Sequence, residues 1–198
     1  MKKTVFNLIA FIILVSSLSS CGYNSMVEKE EQVSGAWSQV ENVYQRRADL
    51  IPNLVNTVKG AAEFEKGTLT AVIEARAKAT AINLNVENLT PENVQKYQQA
   101  QEGLTGALSK LMMVSEAYPT LQSNQNFAGL MAELAGTENR ITVERRRFNE
   151  SVQDYNAYIR KFPNNLSAGM FGFEKKGYFT AKAGSDTPPT VDFNSDKK

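Results

Sequence analysis

Apolar side chains recur at three- and four-residue spacings over most of this chain. From Asn24 onward they fall at Met26, Val33, Trp37, Val40 and Tyr44, then Leu50, Ile51, Leu54 and Val58, then Leu69, Val72 and Ile73. Such spacing marks one face of an amphipathic helix. Pro52 interrupts the run, because proline lacks a backbone donor and crowds the carbonyl four residues earlier. Asp49 is a candidate cap just ahead of it, which would leave Pro52 in a first turn where no donor is needed. The expectation is therefore a break or sharp kink at residues 47–52, where the chain folds back, with a second helix running to about Ile82. The apolar register carries on through Pro52 with little disturbance, which supports the rival reading of one continuous helix. One straight helix over residues 24–82 would reach about 89 Å, more than twice the length of the helix that follows.

Asn83, Asn85 and Asn88 make a polar connector, and Thr90-Pro91-Glu92 is a helix start with cap, first-turn proline and acid. The third predicted helix carries Val94, Tyr97, Leu104, Leu108, Leu111 and Val114 and stops by Tyr118-Pro119. Asn124 caps a fourth, bearing Phe127, Leu130, Leu134, Ile141, Phe148, Val152, Tyr155 and Ile159 up to Phe162-Pro163. Met112, Met113 and Met131 sit at helical apolar positions and read as core filler. No strand-period segment is long enough to compete. The predicted fold is all-α: an up-and-down four-helix bundle of long helices with a short irregular C-terminal segment. In that segment Met170-Phe171-Gly172-Phe173 and Tyr178-Phe179 are aromatic clusters expected to pack on a bundle end. Residues 183–198 read as a disordered tail.

The N-terminus has a different character. Lys2 and Lys3 precede an apolar run from Val5 to Val15, followed by Ser16, Ser17, Ser19 and Ser20. This is the layout of a secretory signal, and the run is short of the roughly 20 residues a spanning helix needs. It ends in Leu18-Ser19-Ser20-Cys21, which resembles a bacterial lipobox, and Cys21 is the only cysteine. The expected organisation is a lipoprotein signal peptide at 1–20, a helical domain at 21–182 and the tail at 183–198. Cys21 is the expected lipidation site, with Leu18, Ser19 and Ser20 as its recognition residues. Two acyl chains would hold the protein stably on a bacterial membrane, facing outside the cytoplasm.

Composition narrows the chemistry. The chain has 198 residues, 22 basic and 21 acidic side chains and no histidine. Lack of histidine removes Ser-His-Asp and Cys-His catalysis, the usual zinc sites and the Glu-x-x-His di-iron pattern. A near-neutral charge argues against a nucleic-acid partner. The acids of the fourth helix alternate with Arg140, Arg145, Arg146 and Arg147, which suits paired charges better than a metal cluster. No cofactor and no enzymatic activity are expected.

Several segments resemble the LemA family. They are Trp37-Ser38-Gln39-Val40-Glu41, the stretch Gln45-Arg46-Arg47-Ala48-Asp49-Leu50-Ile51-Pro52-Asn53-Leu54-Val55, Glu74-Ala75-Arg76-Ala77 and Ala117-Tyr118-Pro119. Thr137-Glu138-Asn139-Arg140-Ile141, Phe148-Asn149, Tyr155-Asn156 and Phe162-Pro163 complete the set. The resemblance spans about Tyr23 to Phe179. It implies an envelope protein with a helical bundle outside the cytoplasmic membrane, and relatives implicated in magnetosome-membrane formation. Many members carry an N-terminal transmembrane helix, and the lipobox departs from that pattern.

The polar residues on the apolar seams are the candidate sites. Arg47 follows Tyr44 by three positions and Arg145 follows Ile141 by four, with Glu133, Glu138 and Glu144 as nearby partners. Asn149 and Asn156 are seven apart and share a face. Arg47, Glu138, Arg145, Asn149 and Asn156 are thus expected to form a polar layer or a partner site, the structural role being favoured. The functional expectation is a non-catalytic interaction or membrane-organising scaffold with an envelope protein partner. The alternative is a small-ligand-binding or enzymatic protein whose site is built from Arg, Glu, Asn and Tyr.

Overall fold

The structure is a computed structural model that describes residues 2–60 and 65–181, with side chains from residue 22 onward. It is all-helical among the described residues. Helix α1 spans Lys2–Lys59, α2 Lys66–Thr80, α3 Pro91–Ser115, α4 Pro119–Gln122, α5 Gln125–Arg160 and α6 Asn164–Phe171. A 3₁₀ turn at Val86–Asn88 interrupts the connector before α3. No helix among the described residues is long and apolar enough to cross a membrane.

The predicted fold-back at residues 47–52 does not occur. Helix α1 runs through Pro52 without a break, and the chain turns only after Lys59, at Gly60. The reason is local. Proline leaves the carbonyl of the residue four earlier without its helical donor; here that residue is Ala48, and Arg76 Nε of α2 donates to its oxygen at 2.8 Å. A side chain from the next helix thus replaces the missing backbone bond. The same contact sets α2 antiparallel beside the distal end of α1.

From residue 22 to Lys59, α1 is about 57 Å long, and the 36 residues of α5 reach about 54 Å. The two match in length and pack antiparallel, with Trp37 against Phe148 and Arg47 against Glu138. The capping expectations for the later helices hold. Thr90 accepts from the Asn93 N–H at the start of α3, and Asn124 accepts from Asn126 and Phe127 at the start of α5.

The core falls into two apolar clusters. The proximal one joins Met26, Val33, Trp37, Val40 and Tyr44 of α1 to Tyr97, Ile141, Phe148, Val152, Tyr155 and the distant Phe179. The distal one joins Ile51, Leu54, Val55 and Val58 to Leu69, Val72, Leu104, Leu108, Leu111 and Leu134. The boundary has the same width on three helices: Tyr44 to Ile51, Tyr97 to Leu104 and Leu134 to Ile141 are each seven residues, or two turns. The buried residues in that gap are mainly polar: Arg47, Gln98, Gln101 and Thr137, with Ala48 beside them.

The proximal half of α1 extends beyond α2, which ends at Thr80. It is covered by α5, the 81–90 connector and the C-terminal segment. Trp37 Nε1 donates to the Leu84 carbonyl at 2.9 Å, and Trp37 stacks with Phe179 at 6.0 Å between ring centroids. Two of the methionines depart from expectation. Met112 and Met113 are exposed, because they lie off the α3 seam carried by Leu104, Leu108 and Leu111, whereas Met131 of α5 is half-buried against the distal cluster.

Candidate functional site: a buried arginine layer and a side-chain clamp

Arg47 fills the gap between the two clusters and is only 2% exposed. Its Nη1 donates to Glu138 Oε2 and to Thr105 Oγ1, both at 2.9 Å. Its Nη2 donates to Gln101 Oε1 at 2.6 Å and to the Gln101 carbonyl at 3.3 Å. Gln101 in turn donates from Nε2 to the Ala79 carbonyl at 3.1 Å, so the layer ties α1, α2, α3 and α5 together. The guanidinium lies 5.0 Å from the Tyr44 ring centroid, a favourable cation–π placement. Of the three guanidinium nitrogens, Nε alone has no partner. Burying a charge is costly unless it is paired and hydrogen-bonded, and here both terminal nitrogens are engaged. Glu138 is half exposed, so the pair is buried on the arginine side and wet on the other.

Asn149 and Asn156 do not join this layer. They hold residues 173–181, which run extended along α5 in the opposite direction. Asn149 donates from Nδ2 to the Phe179 carbonyl at 2.8 Å and accepts from the Phe179 N–H at 2.9 Å. Asn156 does the same to Lys176, at 2.9 and 3.0 Å. Gln98 of α3 repeats the pattern on Thr180, at 2.9 and 3.0 Å. Three carboxamides thus act as the edge of a missing strand, each pairing with both backbone groups of one residue. Seven helical residues rise about 10.5 Å and three extended residues about 10 Å. That match lets a seven-residue spacing grip a three-residue one.

Further contacts close the clamp. Tyr155 donates to the Glu174 carbonyl at 3.0 Å, and the Gly177 N–H to the Leu89 carbonyl at 2.7 Å. A Cβ on Gly177 would stand 2.7 Å from Pro91 Cα, so only glycine allows that approach. Lys176 is buried, with Nζ bonded to Glu30 at 2.7 Å and to the Val86 carbonyl at 2.8 Å. Arg145 also serves this segment, not the Arg47 layer. It lies over the Phe179 ring at 4.6 Å and donates to the Thr180 carbonyl at 3.2 Å.

Gln98, Gln101, Thr105, Arg76 and Lys176 were not among the site residues expected from the sequence. The glutamines carried a usable signal, since both interrupt the apolar seam of α3 between Tyr97 and Leu104. Lys176 carried none, lying in a short glycine- and aromatic-rich stretch with no periodicity. Cys21, Leu18, Ser19 and Ser20 lie outside the residues whose side chains are described, and the tail at 183–198 lies outside the described residues altogether.

A polar cleft of about 340 Å³ opens beside the layer, lined in part by Glu41, Asn42, Tyr44, Asn83, Tyr97 and Gln101. Burial raises the Glu41 carboxyl above the ordinary glutamate range, opposed in part by the Trp37 indole. Burial likewise raises the Tyr44 and Tyr97 hydroxyls, so both remain protonated donors at neutral pH. No group of three or more metal-binding side chains occurs among the described residues.

Comparison with known proteins gives a consistent picture. The LemA family model matches residues 36–193. Magnetosome protein MamQ of Magnetospirillum gryphiswaldense is 30% identical over 202 residues, covering 93% of this chain and 73% of that protein. Magnetosome protein MamQ 2 of Paramagnetospirillum magneticum is 29% identical over 95% of this chain and 74% of its own length. Protein LemA of Metamycoplasma hominis is 23% identical over 89% of this chain and 78% of its own. The sequence segments that carry the resemblance also hold Arg47, Pro52, Arg76, Glu138, Asn149 and Asn156, the residues that build the layer, the α1–α2 contact and the clamp. The chain belongs to the LemA family.

Proposed function

We propose that this protein is a membrane-associated, non-catalytic scaffold of the cell envelope, anchored through lipid on Cys21 and presenting its helical domain outside the cytoplasm to an envelope protein partner. In this reading α1, α2, α3 and α5 form an up-and-down bundle distal to the Arg47 layer. The observation that carries the proposal is internal satisfaction of the polar residues best suited to a ligand. Arg47 is engaged by Gln101, Thr105 and Glu138, and Asn149 and Asn156 are engaged by the C-terminal segment. Buried polar groups used this way specify one packing arrangement. Two relatives bear the name magnetosome protein, which supports a place at a membrane.

Purification from detergent-solubilised membranes tests the idea. A stoichiometric protein partner is expected. A monomer that carries a bound metabolite would overturn the scaffold reading and favour the second one, a small ligand in the Glu41 cleft. That second reading draws on the pairing of a carboxyl of raised pKa with two protonated tyrosines in one cavity.

A further inference from the structure

Helix α6 buries little of itself. Ala168 faces inward, while Leu166 and Met170, four residues apart and so on one face, are 64% and 79% exposed. Phe162, just before the helix, is 82% exposed, and Phe171 at its end is 54% exposed. Large apolar side chains grouped this way mark an interaction surface, unlike single exposed ones. Their place in the fold indicates the occupant. The Asn164 side chain lies 3.3 Å from where a Cβ on Gly22 would stand. Tyr23 meets Phe171 edge-on at 5.0 Å and Phe173 at 5.7 Å. Helix α6 therefore sits against the residues that follow Cys21, with Phe171 of the patch at the contact. Arg160 and Lys161 directly precede Phe162, and Lys175 follows Phe173 by two residues; all three are exposed, as is the neighbouring Glu174. The C-terminal segment leaves α6 toward Phe179 and Thr180, which Asn149 and Arg145 hold two turns or more along α5 from Asn156.

The geometry points to α6 as a bilayer-docking element: Phe162, Leu166, Met170 and Phe171 enter the headgroup–acyl boundary beside the lipidated Cys21, with Arg160, Lys161 and Lys175 on anionic headgroups. The inference rests on the lipid-anchor reading and adds a second attachment to it. A lipid chain alone lets a domain swivel. An apolar helix face next to the anchor fixes which end of the domain meets the membrane, and leaves the distal cluster projecting outward.

Full-length protein carrying Leu166→Cys, Met170→Cys or Met113→Cys is purified from membranes and labelled with an environment-sensitive nitrobenzoxadiazole. It is then reconstituted into phosphatidylethanolamine–phosphatidylglycerol vesicles containing lipids with a nitroxide high on the acyl chain. Wild type should take up no label, because acylation blocks its only cysteine. Labels at 166 and 170 should be blue-shifted and quenched several-fold more than the label at 113. Vesicle-bound protein whose 166 and 170 labels match position 113 overturns the docking proposal and leaves the anchor standing. Labelling of wild type at Cys21, with the protein absent from floated vesicles, overturns both. Blue-shifted labels without lipid quenching would mean that protein covers the patch, a second copy or residues 182–198, and also overturn it.

Discussion

Arg76 supplies the hydrogen bond that Pro52 withholds from Ala48. Its Nε donates to the Ala48 carbonyl at 2.8 Å, four residues before the proline, and α1 continues through without a break. The proline is therefore a docking feature of α1, a carbonyl held open for α2.

A double-mutant cycle tests this pairing. Arg76→Ala should cost about 1–3 kcal/mol, the penalty of leaving a buried acceptor unpaired. With Pro52→Ala the helix regains its own donor, so the same Arg76→Ala change should cost clearly less. Denaturant unfolding of the four proteins measures the coupling. Strictly additive effects would show that the bond has no energetic link to the proline.

Arg47→Ala should destabilise by about 3–5 kcal/mol, since it leaves Gln101 and Glu138 without their shared partner and opens a void between the clusters. Glu138→Gln should cost less, about 1–2 kcal/mol, because Glu138 is half exposed and the amide still accepts from Arg47. Thermal melting ranks the two. A larger loss for Glu138→Gln would contradict an arginine-centred layer.

Gly177→Ala and Asn156→Ala should both release the C-terminal segment, the first by collision with Pro91 and the second by removing both bonds to Lys176. Amide exchange at Lys176, Phe179 and Thr180 should quicken by at least tenfold in each variant, while amides in the distal half of α3 keep their protection. Uniform acceleration through the domain would mean the clamp is part of one cooperative unit with the distal core.

Glu41 gives a pH signature of defined sign. Its folded-state pKa lies above the ordinary value of 4.5 because of burial, so the folded protein keeps a proton that the unfolded chain has lost. The stabilisation is complete below pH 4.5 and disappears as pH rises through the raised pKa. Glu41→Gln should therefore match wild type below pH 4.5 and gain on it toward neutrality. Parallel melting curves across that range would remove the carboxyl from consideration.

Helix identity was legible in the seam from Met26 to Val58 and in the Thr90 and Asn124 caps, because these signals are local. The turn was misplaced because Pro52 reads as a breaker in isolation and outweighed the seam register that continues through it; the residue that supplies the missing hydrogen bond stands 24 positions later. Asn149 and Asn156 were visible as a same-face pair. Their partner was not, since a backbone segment bound through its own N–H and C=O leaves no mark in side-chain pattern. Arg145 followed the seam spacing from Ile141, yet serves Phe179, a ring whose position depends on that same invisible clamp.

The proposed placement at the envelope surface depends most on Cys21. Intact-mass analysis of the protein recovered from the membrane fraction measures it directly. The expected product is a chain that begins at Cys21 and carries a diacylglyceryl group. A chain that starts at any other residue, or an unmodified Cys21, would contradict it.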